Sequence, residues 1–111
     1  MDTQAQDVTK FEASLSLLRA DLGDITEHLG RWKAYSDELR EACRYDWEYA
    51  IDGWLGGVLR SVEGGSASAQ ELRDFDRFRS ELDSLAPAMK AHGFTVPDLS
   101  KVTQPHLAVA A

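Results

Sequence analysis

From residue 9 to residue 89 the apolar positions recur at steps of three and four with polar residues between them. Nowhere does the chain alternate with the period of two that marks a strand, so the pattern predicts an all-α protein. Thr9 followed by Glu12 forms a capping box. The hydroxyl accepts from one orphan amide and the carboxylate reaches back to another, which sets a helix start. Phe11, Leu15, Leu18, Leu22, Ile25 and Leu29 then line one face. Gly23 is a weak point in this helix but does not shift its phase, and Gly30 supplies a left-handed stop.

The same stripe runs on through Trp32, Ser36, Leu39 and Cys43, with Tyr35 alongside. This continuity admits one helix of about 45 residues, as in a coiled coil, but two antiparallel helices joined near Gly30 suit a compact domain better. Beyond Cys43 the phase slips, and the series that buries two tryptophans is Trp47, Ile51, Trp54, Val58 and Val62. Such a slip is a stutter that alters helix winding. The series crosses Gly53, Gly56 and Gly57, which cost a helix interior about 1 kcal/mol each. Ala50, Gly53 and Gly57 fall on one narrow face, where a neighbouring helix could compensate by close approach.

Gly64 ends this helix, and Ser68 with Glu71 forms a second capping box. Leu72, Phe75, Phe78, Leu82, Leu85 and Met89 follow on one face, opposite mixed charges. Pro87 removes one helical bond and predicts a kink or a new last turn. His92-Gly93-Phe94 reads as a helix end, and residues 95–99 as extended, with Phe94, Val96 and Leu99 lying across the bundle. The expected fold is therefore a three-helix antiparallel bundle, with helices at 9–29, 31–62 and 68–92 and a partly docked C-terminal tail. Residues 1–99 form a single domain and residues 100–111 a flexible tail. The expected core is Leu15, Leu18, Leu22, Ile25, Leu39, Cys43, Ile51, Val58, Leu72, Phe75, Phe78, Leu82 and Leu85; a homodimer pairing the helices of two copies is the alternative source of such a core.

Composition narrows the function classes. The 111 residues carry a net charge of −7, with 12 basic residues and no basic run, which disfavours phosphate backbones and hence nucleic acid. A partner with a basic face is the complementary expectation. No apolar run approaches the roughly 20 residues that span a bilayer. Residues 1–7 are polar and acidic, unlike a signal peptide, and the single cysteine forms no internal disulfide, so a cytoplasmic location is expected.

Chemistry-bearing patterns are sparse. His28, His92 and His106 each lack the Glu-x-x-His spacing of helical metal sites, so no metal and no cofactor is expected. Asp46 lies near the stripe between Tyr45 and Trp47, where an aromatic setting would raise its pKa, but a lone acid without a partner is no active site. Cys43 has no neighbouring base and sits on the apolar face as a small hydrophobe. No nucleophile elbow and no phosphate-binding glycine pattern occurs. The expectation is a chain that is not an enzyme.

Six of the ten aromatic residues fall within residues 32–57. Trp32, Tyr35, Tyr45, Trp47, Tyr49 and Trp54 cannot all face one core, because rings two residues apart on a helix are turned by about 200°. Tyrosine and tryptophan are enriched at binding hot spots. The chain is therefore read as a protein–protein interaction module of adaptor, inhibitor or toxin-neutralising type, with Tyr45, Tyr49, Trp54, Trp32 and Tyr35 as partner-binding residues. A small-ligand bundle with a pocket lined by the tryptophans is an alternative.

Trp54-Leu55-Gly56 also spells Trp-x-Gly, and with the chain's size, acidity and helicity it resembles the WXG100 family. That resemblance implies a helical hairpin turning at Trp54 and Gly56, exported as a dimer by a type VII system. The chain departs from the family in that Trp54 falls late, two helices precede it, and no tyrosine follows Tyr49 to supply the tyrosine-and-acid export signal.

Overall fold

A computed structural model of the chain describes residues 9–100 and 102. The expected mobility of the tail beyond Val102, and His106 with it, lies outside the described residues. The fold is all-α: three helical rods, and no strand among the described residues. The first rod is α1, Lys10–Gly30. The second is built from α2 (Asp37–Ala50), a π-helical turn (Ile51–Leu55) and α3 (Gly56–Glu63) in unbroken succession. The third is α4, Ala69–Ala91.

Both capping boxes form. The Thr9 hydroxyl accepts from the Glu12 amide at 3.0 Å while the Glu12 carboxylate accepts from the Thr9 amide at 3.2 Å. Ser68 and Glu71 exchange the same pair of bonds at 3.1 and 2.9 Å. The Thr9 hydroxyl also donates to the buried Glu71 carboxylate at 2.6 Å, tying the starts of α1 and α4 together. Ten residues further along both helices, Arg19 meets Glu81 through two bonds of 3.1 and 3.0 Å. The constant offset means that α1 and α4 run parallel and in register. The second rod runs antiparallel to α1: Lys10, Phe11 and Ser14 share a cleft with Gly57, Val58 and Ser61, whereas Ile25 and His28 share one with Cys43 and Trp47. The central helix is α1, which packs against every segment of the second rod and against α4.

The second rod starts later than the apolar spacing implies. Instead of a helix from residue 31, a 3₁₀ turn spans Trp32–Ala34, Tyr35 is extended, and Ser36 is the N-cap of α2, its oxygen accepting from the Leu39 amide at 3.1 Å. Ser36 is thus a cap and not a stripe position, and the single long helix is excluded. Leu39, expected in the core, falls in the first turn of α2 and is 45% exposed. The spacing of three and four had carried across a connection in which no helix exists. Gly30 closes α1 without a left-handed conformation; only Gly65 and Gly93 adopt positive φ among the described residues.

The phase slip expected between Cys43 and Trp47 falls in regular α2, and the irregularity lies further on, in the π turn at Ile51–Leu55. The buried positions run Trp47, Ala50, Leu55, Val58, Val62. The step of five from Ala50 to Leu55 matches the i→i+5 geometry of a π-helix, in which one extra residue is accommodated. Leu55 thereby enters the core, while Ile51 and Trp54 are left half-buried at its margin. Gly53, Gly56 and Gly57 are exposed rather than pressed against a helix, and a Cβ built on Gly53 would meet nothing within 4 Å. The turn that the Trp-x-Gly resemblance implies is absent: Trp54 and Gly56 lie inside a helical rod, and the chain reverses at Gly64 and Gly65.

In α4 the helix passes through Pro87 to Ala91, burying Leu72, Phe75, Phe78, Leu82 and Met89, with Leu85 half-buried. Phe94 and Leu99 are buried, so the segment after α4 is docked as expected.

The glycines give a direct stability test. Gly53 has ordinary helical φ and open space at Cβ, so Gly53→Ala is expected to stabilise the fold by about 1 kcal/mol. Gly93 has φ of 81° and a Cβ there would lie 3.3 Å from the Arg44 side chain, so Gly93→Ala is expected to destabilise it by more than Gly53→Ala stabilises. Urea denaturation of both variants beside the parent chain measures the two effects; a loss of stability from Gly53→Ala would place a tight contact at that helix face.

Candidate functional site

The aromatic belt divides into an inner and an outer set. Trp32 is buried at the corner where the α1–α2 connection, the first turns of α2 and the end of α4 meet. Its ring lies 5.3 Å from His92, 5.5 Å from Phe94 and 6.1 Å from Tyr35, centroid to centroid. The Tyr35 hydroxyl and His28 Nδ1 share a hydrogen bond of 3.0 Å, which holds Tyr35 half-buried against α1. Trp47 is almost fully buried and its indole N–H donates to the Thr95 carbonyl at 2.7 Å. The Thr95 hydroxyl in turn donates to Glu48 at 2.9 Å.

Two arginines are drawn into this corner. Arg40 donates through Nε and Nη2 to the Trp32 carbonyl at 3.1 and 2.9 Å. Arg44 donates to the His92 carbonyl at 3.2 Å. Both guanidinium carbons lie within 6 Å of the Trp32 ring centroid, at 5.7 and 5.8 Å, close enough for cation–π attraction. The Trp32 carbonyl also accepts from the Tyr35 amide at 3.1 Å and offers Arg40 its second lone pair, while the His92 carbonyl stands past a helix end, so a charged donor suits both.

Tyr45 and Tyr49 are placed differently. Each lies about 160° around the helix from Trp47, one on either side of the opposite pole. They are 65% and 67% exposed. Glu38, Glu41 and Asp52 stand exposed on the same outer half of the rod, and their carboxylates make no ion pair or hydrogen bond among the described residues. Because Arg40 and Arg44 are the only basic residues of α2 and both turn inward, the outer face between Glu38 and Gly53 carries negative charge alone.

Of the five residues singled out in the sequence, the structure therefore brings Trp32 and Tyr35 together at the inner corner and leaves Tyr45 and Tyr49 together outside, with Trp54 half-buried against the core between these extremes. Arg40 and Arg44 escaped sequence reasoning. Their targets are backbone carbonyls up to 48 residues away, which no local pattern encodes.

Cys43 is buried; desolvation chiefly, and then the Asp46 charge, push its thiol pKa up against a smaller opposing pull from Arg44. That is the reverse of what a nucleophile requires. No group of three His, Cys, Asp or Glu side chains suited to a metal occurs among the described residues. Trp47 lines a cavity of about 50 Å³, room for a water or two, and Trp32 borders an open cleft of about 410 Å³ with Leu29, Arg31 and Lys33. No protein family, curated protein or solved structure matches the chain.

Asp21 faces the second rod from α1, and its pKa is raised by burial first and then by the charges of Asp24 and Asp46. A carboxyl with a raised folded pKa binds its proton more tightly folded than unfolded. Its ionisation therefore costs stability as pH rises through the window from the ordinary carboxylate value to the raised one, and the full cost persists above it. Asp21→Asn is expected to stabilise the protein at pH 7 by on the order of 0.5 kcal/mol, comparable to relief of a like-charge helix pair. The gain should shrink as pH falls from the raised value to the ordinary carboxylate range and be gone below it. Thermal melts of both chains between pH 3 and pH 8 check this, and a pH-independent difference would count against it.

Proposed function

We propose that this chain is a non-catalytic helical module that binds another protein through the outer face of its second rod. The observation that carries the reading is the exposure of Tyr45 and Tyr49, two large rings one turn apart at the pole opposite the core. A ring left in water forgoes the roughly 1.5–3 kcal/mol that burial of a large apolar side chain gives, and tyrosine recovers this at interfaces where its hydroxyl stays wet. The exposed glycines beside the pair are a second cost to the isolated helix with no intramolecular return. The π turn lies next to them, and such turns recur at functional positions. Trp54 borders the face as its half-buried edge.

The proposed setting is a reducing compartment such as the cytoplasm, which suits a lone buried thiol. No helix of the described residues is long and apolar enough to cross a membrane.

A photo-reactive phenylalanine analogue at position 49 is expected to cross-link a defined partner in cells of the native organism, while the same group at the exposed Glu27 of α1 does not. Tyr45→Ala with Tyr49→Ala should weaken the isolated complex at least about tenfold, because hot-spot aromatics are each worth about 2 kcal/mol or more. Helical circular dichroism and melting temperature should stay nearly unchanged, since neither ring is in the core. Loss of the helical signal in the double variant, or equal cross-linking from positions 27 and 49, would sink the proposal.

A further inference from the structure

The same face specifies the chemistry of its occupant. Both arginines of α2 are engaged at the Trp32 corner, by two backbone carbonyls and one indole ring, and Arg40 also lies 3.7 Å from the Asp37 carboxylate. What remains outward from Glu38 to Gly53 is three carboxylates, Glu38, Glu41 and Asp52, with no ion pair among the described residues, around two tyrosine rings. Toward the far end Arg60 folds back over Gly56 and Gly57, at 3.5 and 3.8 Å from where their Cβ atoms would stand, and so marks the limit of the acidic stretch. From Glu38 to Gly53 the face is about 22 Å long, four turns of helix.

We propose that the occupant is a lysine- and arginine-bearing helix of another protein, lying along the row Tyr45, Tyr49, Gly53. This identification rests on the interaction-module reading and adds the partner's charge and shape. Cations over the tyrosine faces, within reach of the three carboxylates, answer both features at once. The row is spaced at i, i+4 and i+8, the ridge spacing against which a second helix packs, and Gly53 leaves the gap in which its backbone comes close. No strand edge exists among the described residues to which an extended peptide could add. A second copy of this chain is the wrong occupant, because like faces would set these carboxylates against their own counterparts.

The probe is a synthetic alanine-rich helical peptide of about four turns with lysines at i, i+4 spacing, set against the same peptide with glutamates in place of lysines. Titrated into the isotopically labelled full chain, the lysine peptide is expected to shift backbone amides of residues 38–53 and leave those of α4 still. Affinity should fall several-fold as salt rises from about 0.01 M to about 0.15 M, where the Debye length contracts from about 30 Å to about 8 Å. Glu41→Gln with Asp52→Asn should reduce both the affinity and its salt dependence, and Tyr45→Ala with Tyr49→Ala should weaken binding about tenfold, while Glu27→Gln on α1 changes neither. Equal shifts from the two peptides, shifts lying elsewhere, or none with the lysine peptide at millimolar concentration overturn the inference. So does a concentration-dependent doubling of mass that the tyrosine double variant abolishes, which would make a second copy the occupant. If position 49 cross-links to a neutral or acidic segment, the partner chemistry is wrong and the interaction module stands; if neither cross-link nor peptide binding occurs, both fail.

Discussion

Trp32 needs to be dry, and it sits where the chain is not helical. Its ring is buried, and its carbonyl belongs to a one-turn 3₁₀ segment in which it takes a single backbone bond, from the Tyr35 amide at 3.1 Å. A carbonyl has two lone pairs, and that one bond leaves the second open in a desolvated corner. Arg40 fills that second position with a two-pronged bond, and Arg44 donates one turn on to the His92 carbonyl. The corner thereby fastens three segments distant in sequence: the α1–α2 connection, the first half of α2, and the end of α4. The docked segment beyond follows from it, since Gly93 packs on the Arg44 side chain and the Thr95 carbonyl accepts from the Trp47 indole N–H.

The consequence reaches the opposite side of the rod. A 14-residue helix with two basic residues, both turned toward the core corner, has only acids left as its outward charges. The electrostatic character of the outer face is thus set by a structural demand on the inner one. The π turn acts in the same direction through geometry. By admitting one extra residue between Ala50 and Leu55 it keeps Val58 and Val62 on the core face, and it leaves Trp54 and Gly53 at and beyond the margin. Helical phase is preserved for the core at the expense of continuity in the ladder of hydrogen bonds.

Local signals were the legible ones. Thr9 with Glu12 and Ser68 with Glu71 each pair residues three apart, so the hydrogen bonds that start α1 and α4 are written within a single turn of chain. The apolar faces of these two helices are likewise regular, and nearly every residue expected in their core is buried. The second rod was misread at both irregular points. Ser36 sits at the stripe spacing by coincidence, and only the Asp37-Glu38 pair after it, acids in a first helical turn, signals the new start. Leu55 against Trp54 could not be decided without the π turn, because a constant step of 100° per residue favours the tryptophan.

The sequence by itself determined the helical class, the reversal at Gly64 and Gly65, the two capped starts and the excess of acid. Each depends on residues within one or two turns of each other, or on composition alone. Only the tertiary structure decided which aromatics are core and which are surface. Trp32, Tyr35, Tyr45 and Tyr49 have similar sequence surroundings, and what separates them is whether a distant carbonyl, histidine or phenylalanine lies alongside. Burial is a relation between segments, and the direction in which Arg40 and Arg44 turn is fixed by acceptors that the folded chain brings near.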